Sequence, residues 1–195
     1  MPKRILILNG HPAATSLSRS LAETYAQAAR DAGHEVRITH LHDLNFDMDF
    51  EFGSYRQIKP LEAPLKQFQA DLDWCAHFVL TTPMWWGGLP AKLKGLIDRS
   101  FLPGHAFNTR AIRMGMPTPM LTGRSARVVM TSDTPRWFLR LRYGDAILRQ
   151  LRGQILGFVG LKPARITYFG GASEPKPGAV DKWLQEMARL GARGA

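Results

Sequence analysis

Disulfide chemistry, membrane spans and the familiar nucleotide-binding signatures are all missing from this sequence. One cysteine, Cys75, stands among 195 residues, so no internal disulfide framework can form and nothing calls for an oxidising compartment. No apolar run approaches the ~20 residues of a membrane span. The run Ile5 to Asn9 is too short for the core of a secretory leader, and the expected location is cytoplasmic. There is no G-x-G-x-x-G, no Gly-Lys-Ser/Thr ending and no G-x-S-x-G, which argues against a dinucleotide-type Rossmann loop, a P-loop and a serine hydrolase. The six histidines show no H-x(3)-H or similar spacing, and no metal is expected.

Acids are scarce in one stretch. Between Arg110 and Arg165, eleven Arg and Lys face only Asp133 and Asp145, so this stretch holds +9 of the chain's net +10. Such a surface attracts anions, whether a dinucleotide phosphate, nucleic acid, an acidic protein or a membrane leaflet, or it serves solubility alone. The basic residues are dispersed and no recognition motif accompanies them, which speaks against nucleic acid.

What is present is an alternation. Short apolar runs rich in β-branched residues stand at Arg4–Leu8, Val36–His40, Phe78–Thr82, Ala126–Thr131 and Arg165–Phe169. Four of the five are dense enough in Val, Ile and Leu to be buried on both faces, as parallel strands are. Helical stretches lie between and after them, at Ser16–Ala32, Leu61–Asp73, Pro90–Ser100, about Asp145–Phe158, and Ala179–Leu190. Ser16 or Ser18 can cap the first helix, and Gly33 follows it where a left-handed residue is expected. The pattern predicts an α/β three-layer sandwich: one domain over residues 1–195, with a five-stranded parallel sheet of order 2-1-3-4-5 and helices on both faces. Phe101–Gly123, rich in Pro and Gly and without periodicity, reads as a long excursion. Asp98 and Arg99 read as a local pair, and Cys75 beside Trp74 as buried and inert.

In such a sheet, ligands bind outside the carboxyl ends of the strands, so three loops matter. Asn9–Ser18 leaves a strand, turns at Gly10 and feeds hydroxyls into a helix start. Free N–H groups and the helix dipole there suit a phosphate, with Ser16, Ser18 and His11 as further donors; an ordinary capped helix is the plain alternative. Thr81–Pro90 sets Trp85 and Trp86 beside Gly87 and Gly88. Adjacent side chains cannot both face one apolar layer, so one tryptophan meets a surface or a flat ligand, and N–H groups along Met84–Gly88 are placed for a ring's polar edge. Thr131–Trp137 offers Ser132 and Asp133 to such an edge; capping of the next helix by Asp133 or Thr134 explains it equally well.

These residues carry a resemblance. G-H-P-x(3)-S-x-S at Gly10–Ser18, P-M-W-W-G-G-L-P-A-K-L-K-G at Pro83–Gly95, and Asp98-Arg99 followed by G-H-A-F at Gly104–Phe107 resemble the flavodoxin-like NAD(P)H:quinone oxidoreductases related to DT-diaphorase, nearly end to end. The resemblance implies a homodimer that binds a flavin, FAD first with FMN as the alternative. It also implies transfer of two electrons from NAD(P)H to quinones by a ping-pong route. By position, His11, Ser16, Leu17 and Ser18 match the turn that holds the flavin phosphates. Pro83, Met84, Trp85 and Trp86 match the segment along the ring, with Gly87 and Gly88 beside it. Phe107 matches an aromatic lining the acceptor site, near which His105, Trp137 and Tyr143 are further candidates. The third loop departs from the mammalian-type pattern: Ser132-Asp133-Thr134-Pro135 replaces a Thr-Thr-Gly-Gly run. No catalytic Tyr–His pair is therefore assigned, and T-x-D-T-P-x-W looks like a bacterial subgroup. Two other classes stay open, a one-electron carrier and a regulatory flavoprotein docked on a membrane transporter, the latter through the basic and apolar run Arg136–Tyr143, which reads equally as a lining of the active-site mouth or a piece of the dimer contact.

Overall fold

The computed structural model describes residues 1–195. From the amino terminus the chain runs β1 (Arg4–Asn9), α1 (Leu17–Asp31), β2 (Glu35–His40), α2 (Ala63–Trp74), β3 (His77–Pro83), α3 (Ala91–Ser100), β4 (Phe107–Arg113) and β5 (Met116–Pro119). It continues through β6 (Arg124–Ser132), α4 (Arg136–Tyr143), α5 (Ala146–Arg149) with a π-helical extension over Gln150–Gly157, β7 (Leu161–Gly170) and α6 (Ala179–Arg193). The main sheet is parallel with order β2-β1-β3-β6-β7. Counted among the parallel strands this is 2-1-3-4-5, the order that strand–helix alternation predicts. The winding reverses between β1 and β3, so the loops after these strands part and leave a crevice.

Alternation along the strands builds two cores. Ile5, Ile7, Val79 and Val129 face α1 and α6, meeting Leu21, Tyr25, Met187 and Leu190. Leu6, Leu8, Phe78, Leu80, Val128 and Met130 face the opposite layer, meeting Leu65, Phe68, Leu93, Leu96 and Leu151. Three strands, not four, are buried on both faces: β3 throughout, β1 beyond Arg4 and β6 beyond Ser125. The edge strands β2 and β7 are only partly buried. The helices centre over the middle of the sheet and leave the outer strands partly to water.

Three local expectations change. The excursion at Phe101–Gly123 contains an antiparallel pair, β4 with β5, tied to the main body by Leu121 N–H donating to Val159 O at 2.9 Å. The single helix expected about Asp145–Phe158 is preceded by a separate α4, closed by Gly144 in the left-handed conformation (φ 55°), and its own second part is π-helical. Asp98 and Arg99 are not a pair. Asp98 accepts from Lys94 at 2.7 Å on the helix surface. Arg99 is 1% exposed and reaches away to Glu62 at 2.9 Å, Pro60 O at 3.1 Å and Asp47 O. One buried guanidinium thus straps the long β2–α2 segment onto α3, with its charge met by a carboxylate and two carbonyls. Cys75 is buried; its thiol donates to Leu72 O at 3.3 Å, and burial pushes its pKa up to about 11.

Two predictions follow from this packing. A Cβ at Gly191 would lie 2.3 Å from Tyr25 O, so Gly191→Ala must push α6 off α1. We expect a loss of about 1–3 kcal/mol, read as a lower urea midpoint. His77 is buried at the start of β3, with Nδ1 2.7 Å from Ser125 Oγ and Nε2 unpartnered. Burial, reinforced by Lys3, Arg127 and Arg165, lowers its pKa from 6.5 to about 3. Between those values the unfolded chain binds the proton and the folded chain does not, so stability is intact above pH 6.5 and falls as pH falls toward 3. His77→Gln should flatten that decline by at most ~1.4 kcal/mol per pH unit, measured as urea midpoints across the window.

Candidate active site at the carboxyl edge of the sheet

The loops that leave the sheet are held by the strands beside them. Gly10 N–H donates to Thr81 O at 2.7 Å, Met84 N–H to Thr131 O at 2.8 Å, and Ala172 N–H to Ser132 O at 3.1 Å. The loops after β1, β3, β6 and β7 therefore start at one edge in fixed register.

In the β1–α1 loop, Asn9 Oδ1 accepts from His11 N–H at 3.3 Å, and His11 Nδ1 accepts from Ala13 N–H at 3.0 Å. This assigns the ring proton to Nε2, and burial lowers the histidine's pKa, which favours the neutral ring. A Cβ at Gly10 would meet Leu93 Cδ2 at 2.7 Å, so glycine lets this turn sit against α3. Ser16 caps α1, its Oγ accepting from Arg19 N–H at 3.1 Å. Thr81 Oγ1 donates to Ser18 O at 2.9 Å and pins the first helical turn to β3. Five consecutive backbone N–H groups, Ala14 to Ser18, have no partner in the protein, and neither has the Ser18 hydroxyl. Leu17 is half-buried against the α1–α6 core. A run of free donors at a helix N-terminus is the physical form of an anion site.

The β3–α3 loop is a tight reversal. Trp85 and Gly88 exchange backbone hydrogen bonds at 3.0 and 2.9 Å, with Trp86 (φ 52°) and Gly87 (φ 70°) at the tip. Left-handed backbone suits Gly87 but strains Trp86. Pro83 ends β3 inside the sheet. The donors expected along Met84–Gly88 are fewer than the sequence suggests: Met84, Trp85 and Gly88 spend theirs on the fold, and Trp86 and Gly87 keep theirs free. Neither tryptophan enters the core. Trp85 is 44% exposed, with its ring edge-on to His11 at 5.5 Å, and Trp86 is wholly exposed.

In the β6–α4 loop the capping alternative fails. The N-cap of α4 is Pro135, without a side-chain cap. Asp133 turns instead to the loop after β7, accepting Ser173 N–H at 2.7 Å and Ser173 Oγ–H at 2.8 Å, which holds its carboxyl below the usual range. Ser132 Oγ accepts from Thr134 N–H at 3.1 Å, and Tyr168 OH donates to Thr134 O at 2.7 Å.

Between these loops and the next helices lies a cleft of about 570 Å³. It is lined by Met84, Trp86 and Gly87 from the β3–α3 loop, Ser132–Thr134 after β6, and Leu139, Tyr143, Ala146 and Ile147 from α4 and α5. Of the four residues expected around an acceptor, the chain brings only Tyr143 here. Trp137 projects from the outer side of α4, ring against Phe138. Phe107 is buried between Phe158 and Tyr55, at 5.2 and 6.0 Å. His105 lies at the opposite end of the sheet, where its Nε2 meets Asp73 of the last turn of α2 at 3.1 Å. Thr81 and Ser173 serve the site without any local signal, because each acts through a partner distant in sequence.

Asn tolerates left-handed backbone far better than Trp. Trp86→Asn should therefore raise stability by about 1 kcal/mol, seen as a higher urea midpoint, while removing one wall of the cleft.

Comparison with known proteins agrees with this fold. An uncharacterised NAD(P)H oxidoreductase of Haemophilus influenzae is 30% identical over 108 residues, 53% of this chain and 53% of the relative. An FMN-dependent NADH:quinone oxidoreductase of an Exiguobacterium species is 29% identical over 179 residues, 81% of this chain and 79% of the relative. The crystal structure of a Streptococcus mutans protein, Smu.1420, superposes with a TM-score of 0.82 at 26% identity, covering 97% of this chain and 99% of the other. The chain spans little more than half the length of two of the curated relatives it matches. A family model described as flavodoxin-like fold matches residues 3–190, all five parallel strands and every loop of the cleft included, and the chain belongs to that family.

Proposed function

We propose that this protein is a flavin-dependent oxidoreductase that takes hydride from NAD(P)H and passes two electrons to quinone-type acceptors. The observation that carries the reading is two sets of unpaired backbone donors at one sheet edge. The N–H groups of Ala14–Ser18 suit a phosphate, and those of Trp86 and Gly87 border an apolar cleft. A flavin mononucleotide has this pair of chemistries, an anionic tail and a flat ring with one polar edge. FMN is the assignment here, ahead of FAD, because the Exiguobacterium relative is FMN-dependent and the donor run suits a single terminal phosphate.

When bound, the flavin supplies the hydride chemistry; the protein binds, orients and tunes it. Ala14–Ser18 and the α1 dipole hold the phosphate, with the Ser16 and Ser18 hydroxyls and His11 Nε2–H as further donors. The free Trp86 and Gly87 N–H groups would donate to the ring's polar edge and favour negative charge there. Trp85 and Met84 give that ring an apolar bed, and Tyr143, Leu139 and Ile147 offer an apolar wall to a flat reactant. One cleft serves both reactants in turn, which gives ping-pong kinetics. A homodimer is part of this proposal: Trp137, Phe138 and Leu141 stand exposed beside the cleft.

Releasing the bound group from purified protein and weighing it is the first test: FMN is expected, FAD overturns the choice of flavin, and no flavin overturns the reading. Mixing with NADPH in a stopped-flow cell should bleach the flavin band, and added benzoquinone should restore it. A flavin that does not bleach sinks the reductase and leaves an electron carrier.

A further inference from the structure

The cleft does not end at its apolar wall. A second hollow of about 570 Å³ adjoins it and shares Gly87, Ala146 and Ile147. Its remaining lining is of another kind: Arg149, Gln150 and Gln154, with no acid. None of these three exposed side chains has a hydrogen-bond or ion-pair partner in the protein, whereas both acids near the cleft are committed. The nearest carboxylate, Asp145, is held through both oxygens by Arg136, and Asp133 is held by Ser173. Arg149 feels the Asp145 carboxylate at a distance but forms no ion pair with it, and it lies over Gly144, where a Cβ would lie 3.8 Å from its Nη2.

The backbone brings these groups together in an uncommon way. Gln150–Gly157 is π-helical, and π-helical hydrogen bonds join residues five apart. Arg149 and Gln154 therefore fall on one face, where ordinary α-helical spacing would turn them apart. π-Turns are rare and collect at functional sites.

We infer that this hollow is an anion subsite of the cleft: it receives an acidic group carried by a flat-ring reactant, with Arg149 as the charge partner and Gln150 and Gln154 as amide donors. The inference rests on the oxidoreductase reading and adds a specificity to it. The acidic group has two chemical sources, a substituent on the acceptor ring or the extra phosphate that separates NADPH from NADH. The surplus of positive charge over Arg110–Arg165 then has a use, since it raises the local concentration of anionic reactants and makes their capture salt-dependent.

The test compares pairs that differ only in charge. 1,4-Naphthoquinone-2-sulfonate is set against 1,4-naphthoquinone, and NADPH against NADH, in the flavin-loaded protein and its Arg149→Gln and Arg149→Lys variants. Two quantities are read, the ratio of kcat/KM within each pair and the ratio of Kd by calorimetry with the two quinones, and with NADP+ and NAD+, without reductant. Arg149→Gln should lower the anionic preference in one pair by about tenfold, the scale of one charged hydrogen bond, and Arg149→Lys should recover much of it. The pair that responds names the source of the anion. Unchanged ratios in both pairs overturn the subsite. If no quinone is reduced at all, the oxidoreductase reading fails, and the calorimetric ratios still decide whether Arg149 selects an anion.

Discussion

Three loops of the site, those after β1, β3 and β7, begin by carrying the parallel ladder past the strand they leave. Gly10, Met84 and Ala172 donate to carbonyls of Thr81, Thr131 and Ser132, so loops far apart in sequence leave the sheet with their backbones already in register. Every strand of a parallel sheet points the same way, and its carboxyl ends must collect at one edge. The placement of the free donors, the cleft wall and the tryptophan turn all follow from that extended ladder.

That edge carries costs the rest of the fold must offset. Seven backbone N–H groups, five in Ala14–Ser18 and two in Trp86–Gly87, go without a protein partner, and Trp86 sits in backbone that disfavours it. They are tolerable because the sheet beneath them is well packed, with β1, β3 and β6 closed on both faces. The strap around Arg99 adds support from outside the site, holding the β2–α2 segment against α3, whose Leu93 in turn packs on Gly10. Binding groups displayed on a stiff scaffold lose little freedom when they are used.

Much of this was legible in the chain itself. Runs such as Ile5–Leu8 and Phe78–Thr82 are apolar on successive residues, which only a strand covered on both faces tolerates, and the helical intervals between them admit few topologies. Ser16 was readable as a cap because capping acts over three residues. Asp133 was not readable: its alternatives were a cap or a ring contact, and its partner Ser173 lies forty residues away. Arg99 misled for the same reason, since its neighbour Asp98 points to water while Glu62 arrives from another helix. The β4–β5 pair went unseen because Pro117 and Pro119 mask a strand whose pairing is purely antiparallel and local.

The sequence by itself determined the strand order and the edge at which the long loops collect, because periodicity and helix starts are short-range properties and parallel connection is strongly constrained. Tertiary structure alone decided which donors stay free. It spent the N–H groups of Met84, Trp85 and Gly88 on the fold and left those of Trp86, Gly87 and Ala14–Ser18 open. It also moved His105 to the far end of the sheet and set Arg149 beside the cleft. A hydrogen-bonding group is available only when nothing else reaches it, and what reaches it depends on residues the local sequence does not contain.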